Sequence, residues 1–257
     1  MRSVQGLLLS VAVLPLAGWG GPWPVHLPAR HAALRPVTVP ILEYHRIGLD
    51  AGLPGLTVAP PEFAAEMEWL HRAGYHAISP GRLLAALELH AALPPRPVLI
   101  TFDDGYRDIL WNAAPLLHRL RMHAVSFVIT DRVGGHDPSF LDWQELARLE
   151  ALGFTIGSHT VHHLPLNVLP SEAAYRELRE SRLDLERHLR VPVWSIAYPL
   201  GRADGRVARL AARAGYLLGV TEQPGVDQRD PLLLHRFEIL STTGVGGVRA
   251  LVESAGR

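Results

Sequence analysis

The chain has 257 residues, 48% of them hydrophobic, and its 25 basic and 25 acidic side chains cancel to a formal net charge of zero. That balance gives no electrostatic case for nucleic acid or an acidic polymer as partner. Every basic residue is Arg and cysteine is absent, which excludes a lysine Schiff base, thiolate nucleophiles, disulfides and Cys-zinc sites together. Any metal site must therefore be built from His, Asp and Glu.

The chain opens on MRSVQGLLLSVAVLPLAGWGG. One Arg, then an apolar run of about fifteen residues, then small residues, is the form of an export signal. The run is short for a membrane span of roughly 20 residues, and it contains Pro15 and Gly18. Residues 1–22 are read as a signal peptide or membrane anchor, which implies export and membrane association through the N-terminus. Residues 23–36, rich in Pro, His and Arg, read as a linker, and residues 37–257 as one domain.

Within that domain VTVPILEYH (37–45) is β-rich and PPEFAAEMEWLHRAGY (60–75) is helical, with Pro at its start, where a missing N–H is harmless. The strand PVLITF (97–102) precedes a helix over 105–122. The strand HAVSFVIT (123–130), the helix 142–153, the strand FTIGSH (154–159) and the long amphipathic helix 171–189 follow. VWSIAYP (193–199), the helix 205–215 and strands at 216–222 and 232–239 complete the series. Gly74, Gly153 and Gly215 mark helix ends. Strands alternating with helices predict a parallel sheet. With no Gly-rich phosphate loop, the expected fold is a single-domain α/β distorted (β/α) barrel, TIM-like, of about seven strands. Active sites of such barrels lie at the C-terminal ends of the strands.

Five predicted strand ends carry polar or turn-forming groups: His45, Asp103-Asp104, His159, Tyr198-Pro199 and His235-Arg236. Adjacent carboxylates repel unless a cation sits beside them; coordination of one leaves the other free as a general base. The structural alternative makes Asp104 the N-cap of the helix that follows. In SHTVHH (158–163) the pair His159/His163 has i, i+4 spacing and His159/His162 has i, i+3 spacing. Either pair shares a face on a helical turn. Two His and a carboxylate suit a hydrolytic zinc-type centre, and also the facial triad of non-haem iron oxygenases, against which the β/α pattern speaks.

TFDDGY (101–106) with SHTVHH resembles the first two motifs of the polysaccharide deacetylases, the NodB-homology carbohydrate esterases: TFDDG and H-[S/T]-x-x-H. VPILEYHRI (39–47), EFAAEMEWLHRAGYHAIS and AYPLG resemble the permuted poly-N-acetylglucosamine deacetylase branch, over about Val37 to Leu240. The resemblance implies a metal held by Asp104, His159 and His163, with His162 at a variable position. Zinc is the expected metal, with cobalt, nickel or iron as alternatives. It implies Asp103 as general base and His45 as general acid, with His235 a rival acid. Tyr198 would help bind the oxyanion through its backbone N–H, and Arg236 would orient Asp103. The implied reaction is removal of acetyl groups from N-acetylated amino sugars of a polysaccharide, which is the expected partner. The rivals are a xylan-type O-acetyl esterase and an inactive carbohydrate-binding protein. Trp143 reads either as a sugar-stacking residue or as a helix-start core residue.

Overall fold

The apolar runs picked out above pair side by side in the computed structural model, which describes residues 35–49 and 55–254. The expected leader and nearly all of the linker lie outside those residues. The strands along the main path of the sheet are β1 (Ile41–Tyr44), β2 (Pro97–Phe102), β3 (Ala124–Val128), β4 (Phe154–Ser158), β5 (Ser195–Ala197), β6 (Leu218–Val220) and β7 (Phe237–Glu238), and the short strand His76–Ala77 also pairs with β2. They form a parallel sheet in the order β6-β5-β4-β3-β2-β1-β7. Leu234, just before β7, makes a parallel bridge to Val220 of β6. The sheet therefore curls until its two edges approach, giving the expected seven-strand barrel-like form.

Side chains alternate across each strand. Leu42 and Tyr44 of β1, like Ile100 and Phe102 of β2, join the large core packed under the helices. Ile41 and Leu99 face a second apolar cluster with Val125, Phe127, Ala197, Leu218 and Val220. Continuing that inward register along β1 gives Glu43 and then His45; along β2 it gives Thr101 and then Asp103. The barrel interior thus changes from apolar to polar toward the C-terminal strand ends. All four of these polar residues are buried.

The helices are α1 (Pro60–Arg72), α2 (Pro80–Leu89), α3 (Asp108–Asn112), α4 (Ala114–Leu120), α5 (Trp143–Ala151), α6 (Ser171–Leu189), α7 (Gly205–Ala214) and α8 (Gly244–Glu253). Gly74 follows α1, Gly153 lies just past α5 and Gly215 follows α7, all at positive φ. The single helix expected over 105–122 is two helices broken at Ala113, just before Pro115. Pro115 has no N–H to continue the ladder. Among the described residues no helix is long and apolar enough to cross a membrane.

Candidate metal centre

The end of β2 is carried into the site by a sharp reversal. The Asp103 N–H still pairs with the Tyr44 carbonyl at 2.9 Å, as a strand residue does. Asp104 then adopts φ 71° and Gly105 φ 82°. A Cβ on Gly105 would lie 3.1 Å from Val128 Cγ1, so the turn needs glycine for both its conformation and its space. The reversal delays α3 until Asp108, and Asp104 does not cap it; Arg107 occupies that position. Burial, followed by the Asp104 charge, pushes the Tyr106 phenol up to about 12.

Asp104, His159 and His163 present ligand atoms that all lie within 4.8 Å of one another. Asp104 Oδ1 is 3.5 Å from His159 Nε2 and 3.6 Å from His163 Nε2. His159 Nδ1 lies 2.8 Å from the Ala197 carbonyl. A carbonyl can only accept, so Nδ1 donates, which in the neutral tautomer turns the Nε2 lone pair toward Asp104. Burial, then the neighbouring His159, pushes His163 below its ordinary value despite the opposing Asp104 charge. That favours the neutral imidazole a metal requires. A carboxylate and two imidazoles, one oriented by a backbone carbonyl, are a donor set that fits a zinc-type ion.

The histidine loop is not the helical turn that i, i+4 spacing implies. Thr160 and His163 both have left-handed φ, 66° and 59°, and the two ligand rings sit 4.7 Å apart at 60°. His162 is directed elsewhere. Its Nδ1 donates to Glu177 Oε1 at 2.7 Å.

Beside this triad, Glu43, His45 and Asp103 form a second buried group. Arg236, fully buried, donates to both oxygens of Asp103 at 2.8 Å and to the Thr221 carbonyl at 2.9 Å. Its Nε also lies 3.3 Å from Glu43 Oε2. Burial would raise the Asp103 pKa, but the charge of Arg236 outweighs it and holds the carboxyl down at about 2. Glu43, buried and without a hydrogen bond to either oxygen, is pushed well above the usual carboxylate range by burial, Arg236 notwithstanding. Asp103 is thus held ionised, while Glu43 is driven toward the neutral acid. His45 Nε2 is 3.9 Å from Glu43 Oε1.

Two expectations change, and the open alternative at Trp143 is decided. The Tyr198 N–H is spent on the Val220 carbonyl at 3.1 Å and its hydroxyl on Leu232 at 2.9 Å. Sheet pairing thereby removes the N–H expected to bind an oxyanion. His235 is tied through its backbone N–H and carbonyl to Gln228, with its ring against Gly225, outside both clusters. Trp143 starts α5 and stacks on His188 of α6 at 3.9 Å, so its ring serves helix packing. Sequence reasoning missed Glu43 and Glu177. Each had a signal: Glu43 is a lone charge in an apolar strand, and Glu177 falls in the buried stripe of α6 with Ala174, Leu178, Ser181 and Leu185.

A curled parallel sheet carries, at its C-terminal end, a His₂Asp group that could hold a metal ion beside an Arg-held carboxylate, the arrangement of a barrel hydrolase. The family model for polysaccharide deacetylase matches residues 90–219. YxkH of Bacillus subtilis (strain 168), a polysaccharide deacetylase homologue, is 32% identical over 222 residues, covering 86% of this chain and 78% of its own. The poly-beta-1,6-N-acetyl-D-glucosamine N-deacetylase of Staphylococcus aureus (strain NCTC 8325 / PS 47) is 27% identical over 177 residues, 63% of this chain and 60% of that protein. The structure of the Streptococcus pyogenes deacetylase PplD in complex with acetate superimposes with a TM-score of 0.79 at 28% identity, covering 85% of this chain and all of that one. The chain belongs to the polysaccharide deacetylase family and is a deacetylase, a hydrolase.

Proposed function

We propose that the protein is a metal-dependent N-deacetylase acting on N-acetylated amino sugars of a polysaccharide, releasing acetate. The observation that carries this is the convergence of Asp104, His159 and His163 beside a separate, ionised carboxylate, Asp103. Asp104, His159 and His163 would hold the divalent ion, zinc by the chemistry of the donors. When bound, such an ion polarises an acyl carbonyl and acidifies water.

The remaining work falls to the protein's own groups. Asp103 keeps a carboxylate in a nearly water-free position and accepts the proton of the attacking water as the C–O bond forms. Arg236 holds that carboxylate by both oxygens, so attack meets a fixed acceptor. The Tyr198 N–H is unavailable and Pro199 has none, so the first N–H past β5 is that of Leu200. Leu200 has left-handed φ, 57°, three residues beyond the carbonyl that holds His159. In this reading the Leu200 N–H, rather than that of Tyr198, would be the backbone donor toward charge developing on the acyl oxygen. His45 delivers a proton to the departing nitrogen, which leaves as the amine while the acyl group leaves as acetate.

The reading extends to cell location: residues 1–22 act as a signal or anchor, placing the enzyme outside the cytoplasm. The test is acetate release, by mass spectrometry, from N-acetylglucosamine oligomers and from acetylated xylan with zinc restored. Acetate from the first supports the proposal. Release only from xylan makes the enzyme an O-acetyl esterase, and glycan binding without release makes it a binding protein.

A further inference from the structure

Glu177 lies in the middle of α6, a helix whose exposed face is otherwise laced with Arg–acid pairs. Its carboxylate is buried and turned toward the histidine loop. Oε2 accepts the backbone N–H of Val161 at 3.1 Å and of His162 at 2.9 Å. Oε1 accepts Nδ1–H of His162 at 2.7 Å. All three donors lie between His159 and His163 in the chain. The opposite edge of the same loop is tied as well: the Thr160 and Val161 carbonyls accept the N–H groups of Thr130 and Asp131, both at 3.1 Å. Thr160 and His163 hold left-handed backbone conformations. Such a conformation is strained for a non-glycine residue and persists only where surroundings impose it.

We propose that Glu177 is a positioning residue for the metal centre. It pins the two residues between the ligands, holds Thr160 and His163 in their strained conformations, and so sets the placement of the His163 ring relative to His159 before an ion arrives. This rests on the metal-centre reading above. A carboxylate suits the task because its two oxygens take three N–H donors at once. The helix itself does not depend on the contact. α6 is anchored by Ala174, Leu178 and Leu185 in the core, by Ser181 to Ser158 at 2.7 Å, and by Tyr216 to the Leu178 carbonyl at 2.9 Å.

The experiment is a zinc titration against a chromophoric chelator on the full chain, for wild type, Glu177→Ala and Glu177→Gln, with thermal melts of the metal-free proteins alongside. Glu177→Ala is expected to bind zinc about 10- to 100-fold more weakly, the usual effect of removing a group that orients ligands. It should still melt cooperatively without metal. Glu177→Gln should recover most of the affinity, because its one oxygen still accepts both backbone N–H groups. Glu177→Ala with wild-type affinity overturns the inference. So does Glu177→Gln that melts like wild type without metal but binds zinc as poorly as Ala. Wild type that takes up no zinc is a different result: it refutes the metal centre itself.

Discussion

Arg236 grips both oxygens of Asp103 with two hydrogen bonds of 2.8 Å, across 133 residues of chain. The pair joins the end of β2 to the segment entering β7, with no water-exposed surface on the guanidinium. A planar fork on a carboxylate fixes orientation as well as charge. Structural integrity and the reactive carboxylate thus share one contact.

Asp103→Asn keeps the shape of the side chain and removes the proton acceptor. The expected result is a fall in kcat of about 10²–10⁴-fold, the usual worth of general-base help, with zinc content unchanged. Arg236→Met strands the charge of Asp103 in the interior. Breaking a buried pair by removing one partner costs about 3–5 kcal/mol, so urea unfolding should show a loss of that order. Wild-type kcat in Asp103→Asn would remove it as the base.

The three histidines of the loop should separate in metal content. His159→Ala and His163→Ala are expected to purify with little zinc. His162→Ala should retain it, because Glu177 still holds the Val161 and His162 N–H groups. Elemental analysis of the three variants decides this. Chelation of wild type should abolish acetate release, and added zinc should restore it.

Gly105→Ala tests the reversal that aims Asp104. Alanine must take φ 82° and place its Cβ 3.1 Å from Val128. The conformational term alone is of order 1–3 kcal/mol. The expected outcome is a lower Tm together with weaker zinc binding, since Asp104 is the preceding residue. Loss of Tm with unchanged zinc affinity would show that the turn serves the fold alone.

The barrel was legible because parallel strands covered on both faces read as short apolar runs between helices, and the site because its residues sit where those runs stop. His159, Asp104 and His45 could all be found that way. Other elements carry contrary local signals. α2 begins Pro80-Gly81, which reads as a turn, and α8 begins Gly-Val-Gly-Gly, which depresses helix propensity. The loop geometry of SHTVHH was beyond spacing rules, because left-handed φ at Thr160 and His163 is imposed by Glu177 and by the Thr130–Asp131 segment, both distant in sequence. The fate of the Tyr198 N–H was hidden for a similar reason: its acceptor, Val220, is on the neighbouring strand.

Glu66 offers a test of the core that does not touch the metal ligands. It is fully buried on α1, and Tyr44 donates its hydroxyl to Oε2 at 2.8 Å, while Oε1 has no partner. Burial outweighs that bond and pushes the carboxyl from 4.5 up to about 7. Below pH 4.5 the group is protonated in both folded and unfolded chains and does not alter stability. As pH rises the unfolded chain ionises first, so the unfolded state binds fewer protons and stability falls until the folded group ionises near pH 7. A rise of that size corresponds to on the order of 3 kcal/mol. Gln at this position keeps an acceptor for Tyr44 and cannot ionise. Glu66→Gln should therefore flatten the stability curve between about pH 4.5 and 7 and leave the variant more stable than wild type above that range. Urea unfolding of both proteins across the window gives the answer. Parallel curves would mean that Glu66 ionises in the folded chain as easily as in the unfolded one.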